Sequence, residues 1–404
     1  MKSLPASAMP DRRSPWAQPD AVLSGEAAPD AAALALRAVH RAASDLRRGT
    51  PVLLRGAGDR AFVIVAAETV GGRGLAELAA LMDGAPCLLL APVRAAALAP
   101  PRPVPAAEDA APAVALRLPA ALLDPAALRS LADPTVERLL GDAAAIRPER
   151  LPSPPPLAGA ALALAKLARL LPAVVAAPVP AEPVPPNLLA VSAAQVLAYP
   201  ATAATSLRRV ADAAVPLEDA PDARIVAFRA GDGGIEHLAI LVGRPEDVAD
   251  DLPAPLARMH SECFTGDLLG SLRCDCGPQL RGAIARMAAD GAGVLLYLAQ
   301  EGRGIGLVNK LRAYALQDSG LDTLDANRAL GWGADERSFL VAATMLEQVG
   351  IRRIRLLTNN PNKLAALAAC GIEVSGREAH SFAPNGVNDA YLETKARRFG
   401  HLLA

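Results

Sequence analysis

Three cysteines and their spacing carry the strongest chemistry in this chain. Ten residues separate Cys263 from Cys274, and a single residue separates Cys274 from Cys276. Three thiolates so spaced can hold one tetrahedral zinc and leave its fourth position open. Structural zinc sites are usually closed by four protein ligands, whereas catalytic ones keep three and a water. That water, acidified by the metal, is a source of hydroxide near neutral pH. The pattern predicts hydrolytic chemistry. A closed structural site with His260 as fourth ligand is the plainer alternative, although the one-residue gap differs from the paired spacings of zinc ribbons.

Other residue groups are suited to anions. Glu301, Gly302, Arg303, Gly304, Ile305 and Gly306 form a glycine-rich loop between an expected strand (294–298) and an expected helix (307–317). Glycines there would let backbone N–H groups approach an anion, and the helix start adds a favourable dipole. Residues 358–363, Thr-Asn-Asn-Pro-Asn-Lys, repeat the strand–turn–helix arrangement. Lysine occurs only five times in the chain, which makes Lys363 at that helix start informative, while Asn360 reads equally as an ordinary N-cap. Asp335, Glu336 and Arg337 either open a helix capped by Asp335 or set an acid–base carboxylate beside a phosphate-binding guanidinium. Tyr314 belongs to the core or to the site, and Arg258 and Arg273 together with the metal are expected to acidify the thiols. A hydrolytic metal with several anion-ready helix starts predicts a phosphorylated substrate attacked at carbon or phosphorus.

The elements that must hold these groups follow from composition and periodicity. A chain of 404 residues can build two or three domains with separate cores. Lys plus Arg is 41 against 42 for Asp plus Glu, so no global field draws nucleic acid or an anionic membrane, and any anion site must be local. Five cysteines, three of them crowded together, point to metal rather than to disulfides. Cys87 and Cys370, in apolar surroundings, read as buried thiols. No secretory segment is expected in 1–30, and the apolar stretch 157–184 is too interrupted by charge and proline for a membrane helix of roughly 18–20 residues. A soluble, cytoplasmic protein is expected.

Residues 1–30 read as a disordered leader. The Ala- and Pro-rich stretch up to about 200 predicts a helix at 31–48, strands at 51–54 and 61–65, loops at 95–115 and 147–157, and a helix at 157–171 closed by Pro172. Beyond about 205, His, Cys, Asn, Gln, Tyr and Thr cluster. Strands at 224–228 and 237–242 should pair across a glycine-rich turn, followed by a helix at 278–289, a helix from Asp335 to about 350, a strand at 354–358 and a helix at 361–369. The alternation argues for an α/β domain.

Several runs together resemble GTP cyclohydrolase II. They are 258–267 (Arg-Met-His-Ser-Glu-Cys-Phe-Thr-Gly-Asp), 271–277 (Ser-Leu-Arg-Cys-Asp-Cys-Gly) and 300–307 (Gln-Glu-Gly-Arg-Gly-Ile-Gly-Leu). Segments 309–318, 333–337 (Gly-Ala-Asp-Glu-Arg), 356–361 and the ending Gly-His-Leu-Leu at 400–403 continue the likeness, which covers about 205–404. The resemblance implies that GTP is opened at C8 of guanine with loss of formate and pyrophosphate. The product would be 2,5-diamino-6-ribosylamino-4(3H)-pyrimidinone 5′-phosphate, the first step of riboflavin synthesis. It implies Cys263, Cys274 and Cys276 as zinc ligands. GTP-contacting positions would be Arg258, Met259, His260, Ser261, Glu262 and Gln279, with Glu301, Gly302, Arg303, Thr323, Thr358 and Lys363. Asp335 would be the proton acceptor, Arg337 the residue attacking the α-phosphorus, and Tyr314 part of the ring-opening site. Magnesium with the triphosphate, a homodimer, and no nucleic-acid or membrane partner also follow. Hydroxide adding to C8 has the logic of nucleobase deaminases. An attacking arginine conflicts with a guanidinium protonated below about pH 12, so Arg337 is first assigned to charge stabilisation.

Residues 38–70 and 159–178 resemble the skeleton of 3,4-dihydroxy-2-butanone-4-phosphate synthase. That family places an acidic, magnesium-holding cluster after its first strand; here 54–60 carries one carboxylate, Asp59. Its His-Thr-Glu run falls on 155–159 and its late glutamate near Pro178, and a single Asp holds magnesium too weakly. The expectation is a mixed α/β, two-domain protein. It has a leader at 1–30, a degenerate synthase-like α/β domain at 31–200, and a GTP cyclohydrolase II domain with its zinc site at 205–404. Two readings stay open beside the enzyme: a catalytically silent, zinc-stabilised nucleotide-binding protein, and a bifunctional enzyme that also makes 3,4-dihydroxy-2-butanone 4-phosphate.

Overall fold

In the computed structural model, residues 30–98, 113–136, 149–180, 182–183, 185–400 and 402 are described. The expected leader, up to residue 29, and most of the expected loop at 95–115 lie outside them. The first half starts with α1 (Ala31–Arg47), whose Leu36, Val39, Ala43 and Leu46 recur at helical spacing and are buried. The Asp30 carboxylate accepts from the N–H of Ala32 at 3.0 Å and caps it.

Strands β1 (Val52–Arg55), β2 (Ala61–Ala66), β3 (Cys87–Leu90), β4 (Val114–Arg117), β5 (Glu149–Arg150), β6 (Ala173–Val179) and β7 (Leu189–Ser192) form one sheet. Its order is β5-β4-β3-β6-β2-β1-β7, antiparallel except for the β1–β7 pair. Helices α2 (Gly72–Leu81), α3 (Pro92–Leu98), α4 (Pro125–Ala132), α5 (Ala158–Leu167) and α6 (Ala193–Thr205) complete this half. Its central strands are buried on both faces, which explains their near-continuous apolar runs. One face packs on Leu46, Leu164 and Val196 of α1, α5 and α6. The other packs on Leu78, Leu128 and Leu131, and also on Leu316, Leu330 and Trp332 from the second half.

The helix expected to run to Pro172 ends earlier. After α5, Arg169 takes a left-handed backbone (φ 58°), and the N–H groups of Arg169 and Leu170 bond back to Lys166 O and Ala165 O. This is the hydrogen-bond pattern of a Schellman closure, with arginine where glycine is usual.

The second half is a sheet of β8 (Arg208–Ala214), β9 (Arg224–Arg229), β10 (Glu236–Val242), β11 (Leu256–Ser261), β12 (Gly293–Leu298), β13 (Arg353–Leu357) and β14 (Glu373–Glu378). The order is β14-β13-β11-β12-β10-β9-β8. Strands β14, β13, β11 and β12 are parallel, and the rest are antiparallel. Helix α7 (Cys276–Asp290) links β11 to β12. Helices α8 (Leu307–Asp318), α9 (Thr323–Ala329) and α10 (Leu340–Gln348) lie between β12 and β13, then α11 (Asn362–Ala369) leads to β14, and α12 (Asp389–Phe399) follows. Crossovers of this kind leave loops at the carboxyl ends of β11, β12 and β13, where open α/β sheets gather ligands.

Three expectations are corrected here. The helix expected from Asp335 begins only at Leu340, because Glu336 is tied elsewhere: its N–H donates to Arg303 O at 3.1 Å and its Oε1 accepts from the N–H of Gly333 at 2.7 Å. Asp335 is therefore no helix cap. Asn360 makes an Asx turn, accepting from the N–H of Asn362 at 3.0 Å, while Pro361 occupies the cap position of α11. Cys370 is only partly buried, whereas Cys87 is buried and its thiol is pushed up to about 11 by burial. Among the described residues no helix is long and apolar enough to cross a membrane.

Candidate active site

The chain leaving β11 brings Cys263 toward Cys274 and Cys276 at the start of α7, and the three Sγ atoms lie within 4.8 Å of one another. A tetrahedral ion with metal–sulfur bonds of about 2.3 Å would space its thiolates by about 3.8 Å. Cys263 Sγ and Cys274 Sγ are 3.7 Å apart, so the donors fit such an ion. Hydrogen bonds from the Cys274 and Cys276 thiols, with the Lys310 ammonium at 3.0 Å, hold Cys263 as a thiolate. That charge pushes Cys274 up to about 11 and Cys276 well above its ordinary value. Three adjacent thiolates repel, and a multivalent cation is what allows all of them to ionise together.

His260 is not the fourth donor. It is buried, its Nε2 sits 3.0 Å from Asp267 Oδ1, and its ring stacks on Tyr297 at 5.7 Å. Asp267 also accepts from Tyr297 Oη at 3.0 Å and from the N–H of Cys263 at 2.9 Å, bracing the first thiolate. Among the described residues the cluster is sulfur-only, and the closed alternative lacks its ligand.

Gly266 lies against the trio. A Cβ there would meet Cys274 Sγ at 2.6 Å and Cys263 Sγ at 2.9 Å. Gly266→Ala is therefore expected to lower metal affinity at least about 10-fold, as displaced ligand supports do elsewhere. Metal content after dialysis against graded chelator reads this directly, and undiminished retention would show that the thiolates have room to spare.

The trio opens on a cleft of about 1030 Å³, measured out to open solvent. Arg258, Arg273, Arg303, Lys310, Arg337, Lys363 and Lys395 line it against two carboxylates, Glu262 and Glu301. A near-neutral chain thus concentrates positive charge in one concavity, which suits a polyanion. Burial first, then Arg337 and Arg258, push the Lys363 ammonium well below its ordinary value. Arg258 is pushed down to about 10 by burial, and its Nε is buried without a hydrogen-bond partner. Arg303 Nη1 is likewise buried and unpartnered, with the guanidinium 3.8 Å over the Phe399 ring. Such groups are costly unless an anion completes them.

The glycine-rich loop works differently from the expected backbone cradle. The N–H of Gly302 donates to the Glu301 carboxylate, and those of Gly304, Ile305 and Gly306 donate to Gln300 O or Glu301 O. These four donors are spent inside the loop. Gly302 and Arg303 both adopt φ near +63°, and this turn presents the Arg303 side chain instead. Glu301 is buried at 2.9 Å from Lys310 Nζ and accepts from the N–H of Phe264 at 2.7 Å.

Most of the residues singled out from sequence line this cleft: Arg258, Met259, His260, Ser261, Glu262 and Gln279, then Glu301, Gly302, Arg303, Tyr314, Thr323, Arg337 and Lys363. Two are not part of its lining. Thr358 is buried with its Oγ1 accepting from the N–H of Asn360 at 3.1 Å. Asp335 grips Arg337, accepting from Nε at 2.7 Å and also from Nη2. Burial opposes the Asp335 charge, but Arg337 outweighs it and holds the carboxyl below its usual range. Sequence reasoning missed Lys310, Tyr391 and Lys395 in the wall. The signal was present, since lysine is as rare at 310 and 395 as at 363.

Residues 208–379 match the family model described as GTP cyclohydrolase II. The chain is 48% identical over 399 residues to a protein of Azospirillum brasilense named GTP cyclohydrolase-2, covering 97% of this chain and 99% of that one. A Xylella fastidiosa protein of the same name is 39% identical over 367 residues, covering 89% and 86% of the two chains. One from Histophilus somni is 49% identical over 199 residues, covering 49% of this chain and 90% of its own. Among solved structures, a two-domain 3,4-dihydroxy-2-butanone 4-phosphate synthase from A. baumannii is similar at a TM-score of 0.31 and 16% identity, covering 84% and 98%.

Proposed function

The chain belongs to the GTP cyclohydrolase II family, and from that premise we propose that it opens the imidazole ring of GTP in the cleft beside the three thiolates. The products are formate, pyrophosphate and the 2,5-diamino-6-ribosylamino-pyrimidinone 5′-phosphate that starts riboflavin synthesis. The observation that carries this reading is a sulfur trio with no fourth protein donor among the described residues, facing a cation-lined cleft.

Cys263, Cys274 and Cys276 would hold zinc. Zinc, when bound, acidifies a water and so supplies hydroxide for C8 of guanine. Lys310 and Glu301 fix the position of Cys263 from the other side. Burial raises the Tyr314 hydroxyl, which therefore stays protonated as a donor near the trio. Arg258, Arg337 and Lys363, whose charges oppose one another without an anion, are suited to the triphosphate, carried with magnesium. Asp335 is kept ionised by Arg337 and accepts a proton, while Arg337, through the guanidinium fork that Asp335 grips, stabilises charge at the α-phosphate rather than attacking it. A homodimer in the cytosol follows from the family resemblance and from thiols that must stay reduced.

The N-terminal half carries no synthase activity on this reading. Asp59 is exposed in the turn between β1 and β2, too little to hold magnesium. Full-length protein loaded with zinc, given GTP in one vessel and ribulose 5-phosphate in another, should release formate from GTP alone. Tight GTP binding without formate would favour the silent nucleotide-binding protein; formate from ribulose 5-phosphate would restore the bifunctional enzyme.

A further inference from the structure

The loops that form the cleft do not stand on the second half alone. Lys166, at the end of α5, reaches across to Glu336, with Nζ 2.6 Å from Oε1. The two side chains are 29% and 27% exposed, at the rim between the two halves. The same Glu336 sits between Asp335 and Arg337 and donates its N–H to Arg303 O, joining the two segments that frame the cleft. Three residues on, Arg169 donates from Nη2 to Ala299 O at 2.8 Å, just before Gln300 and Glu301. Its carbonyl accepts from Asn309 Nδ2 at 3.0 Å, and its stem packs where a Cβ on Gly306 would lie, 3.2 Å away.

Further along α8, Arg312 is held by Glu68 at 2.9 Å and by Asp133 at 2.7 Å. That helix carries Lys310 and Tyr314. The left-handed backbone of Arg169 is disfavoured for a residue with a Cβ. Such conformations persist where surrounding contacts over-determine them, commonly beside functional sites. Neither Lys166 nor Arg169 lines the cleft.

We propose that the N-terminal half sets the position of the cleft-forming loops, with Lys166 and Arg169 as positioning residues for the segments 299–306 and 333–337. The proposal rests on the functional reading above, and it gives the first half a present role that requires no chemistry of its own. Relatives from Histophilus somni and Actinobacillus succinogenes align over 49% of this chain while covering 90% and 88% of their own; here the loops lean on residues of the first half in the same polypeptide.

Full-length Lys166→Met, Glu336→Gln, the double variant, Arg169→Gly and Lys166→Arg test it, with formate release from GTP, metal content and melting temperature measured on each. Misplacement of a loop by about 1 Å can cost about 100-fold in rate, so each of the first two should lower kcat by about 10- to 100-fold with little change in metal content. The double variant should lose no more than either single one, because the two side chains act as one contact. Lys166→Arg should recover much of the rate. Arg169→Gly relieves the backbone and should keep or raise the melting temperature while still lowering kcat. Wild-type kcat in Lys166→Met and Arg169→Gly, or losses that multiply in the double variant, would overturn the positioning role. A wild-type chain that releases no formate sinks both readings, whereas an active wild type with unaffected variants sinks only this one.

Discussion

Cys274→Ser is expected to empty the metal site and abolish formate release together. Its sulfur is buried and stands 3.7 Å from that of Cys263, so the trio cannot re-form around a shorter, harder oxygen without moving α7. Loss of the ion removes the means of making hydroxide near neutral pH, and turnover should fall by more than about 1000-fold. Metal analysis and a formate assay on the same sample decide it. Full formate release from metal-free protein would refute the ligand assignment outright. Pyrophosphate release should be followed separately, because Arg337 and Lys363 in the cationic wall are held by Asp335, Ser261 and Met259 rather than by the sulfurs. If it survives in Cys274→Ser, phosphate cleavage and ring opening are separable steps.

The second large effect belongs to the pair Asp335 and Arg337. Asp335→Ala should reduce turnover by roughly 100- to 10,000-fold, the range of a positioned acid–base group. The structure sharpens this test. Because α10 starts at Leu340, Asp335 supplies no helix cap, and a loss of stability comparable to cap removal, about 1 kcal/mol, is not expected. A variant that melts early but turns over normally would remove Asp335 from the chemistry. Arg337→Lys keeps a charge but loses the fork that Asp335 grips through Nε and Nη2. Partial activity in the lysine variant supports charge stabilisation at the phosphate; complete loss, with GTP still bound, would favour a covalent role for the arginine.

Much of the site was legible in the residues themselves. Thiol spacing pointed to a metal site, and the fold brings the three sulfurs within 4.8 Å of one another. The strands expected at 224–228, 237–242, 294–298 and 354–358 and the helices at 278–289 and 361–369 form close to their expected bounds, whereas β11 (Leu256–Ser261), the strand that carries Arg258 to Ser261, was not expected. The rarity of lysine in this chain pointed to position 363 and, applied evenly, would have pointed to 310 and 395.

Tertiary contacts decided the rest. A hydrogen bond from Glu336 to Arg303 O and an ion pair with Lys166 hold 335–339 out of the helix its sequence predicts. Arg169 ends α5 in a conformation its own side chain disfavours, because contacts with Ala299, Asn309 and Gly306 outweigh the local preference. The glycine loop closes its N–H groups on itself, which only its three-dimensional path reveals. Sequence by itself determined which chemical groups this protein owns and, through motif order, the family in which they work. Only the folded chain decided which of them meet in the cleft and which lie outside its lining. Spacing along a backbone records local preference, while the position of a loop is set by partners more than a hundred residues away, as Lys166 and Glu336 are.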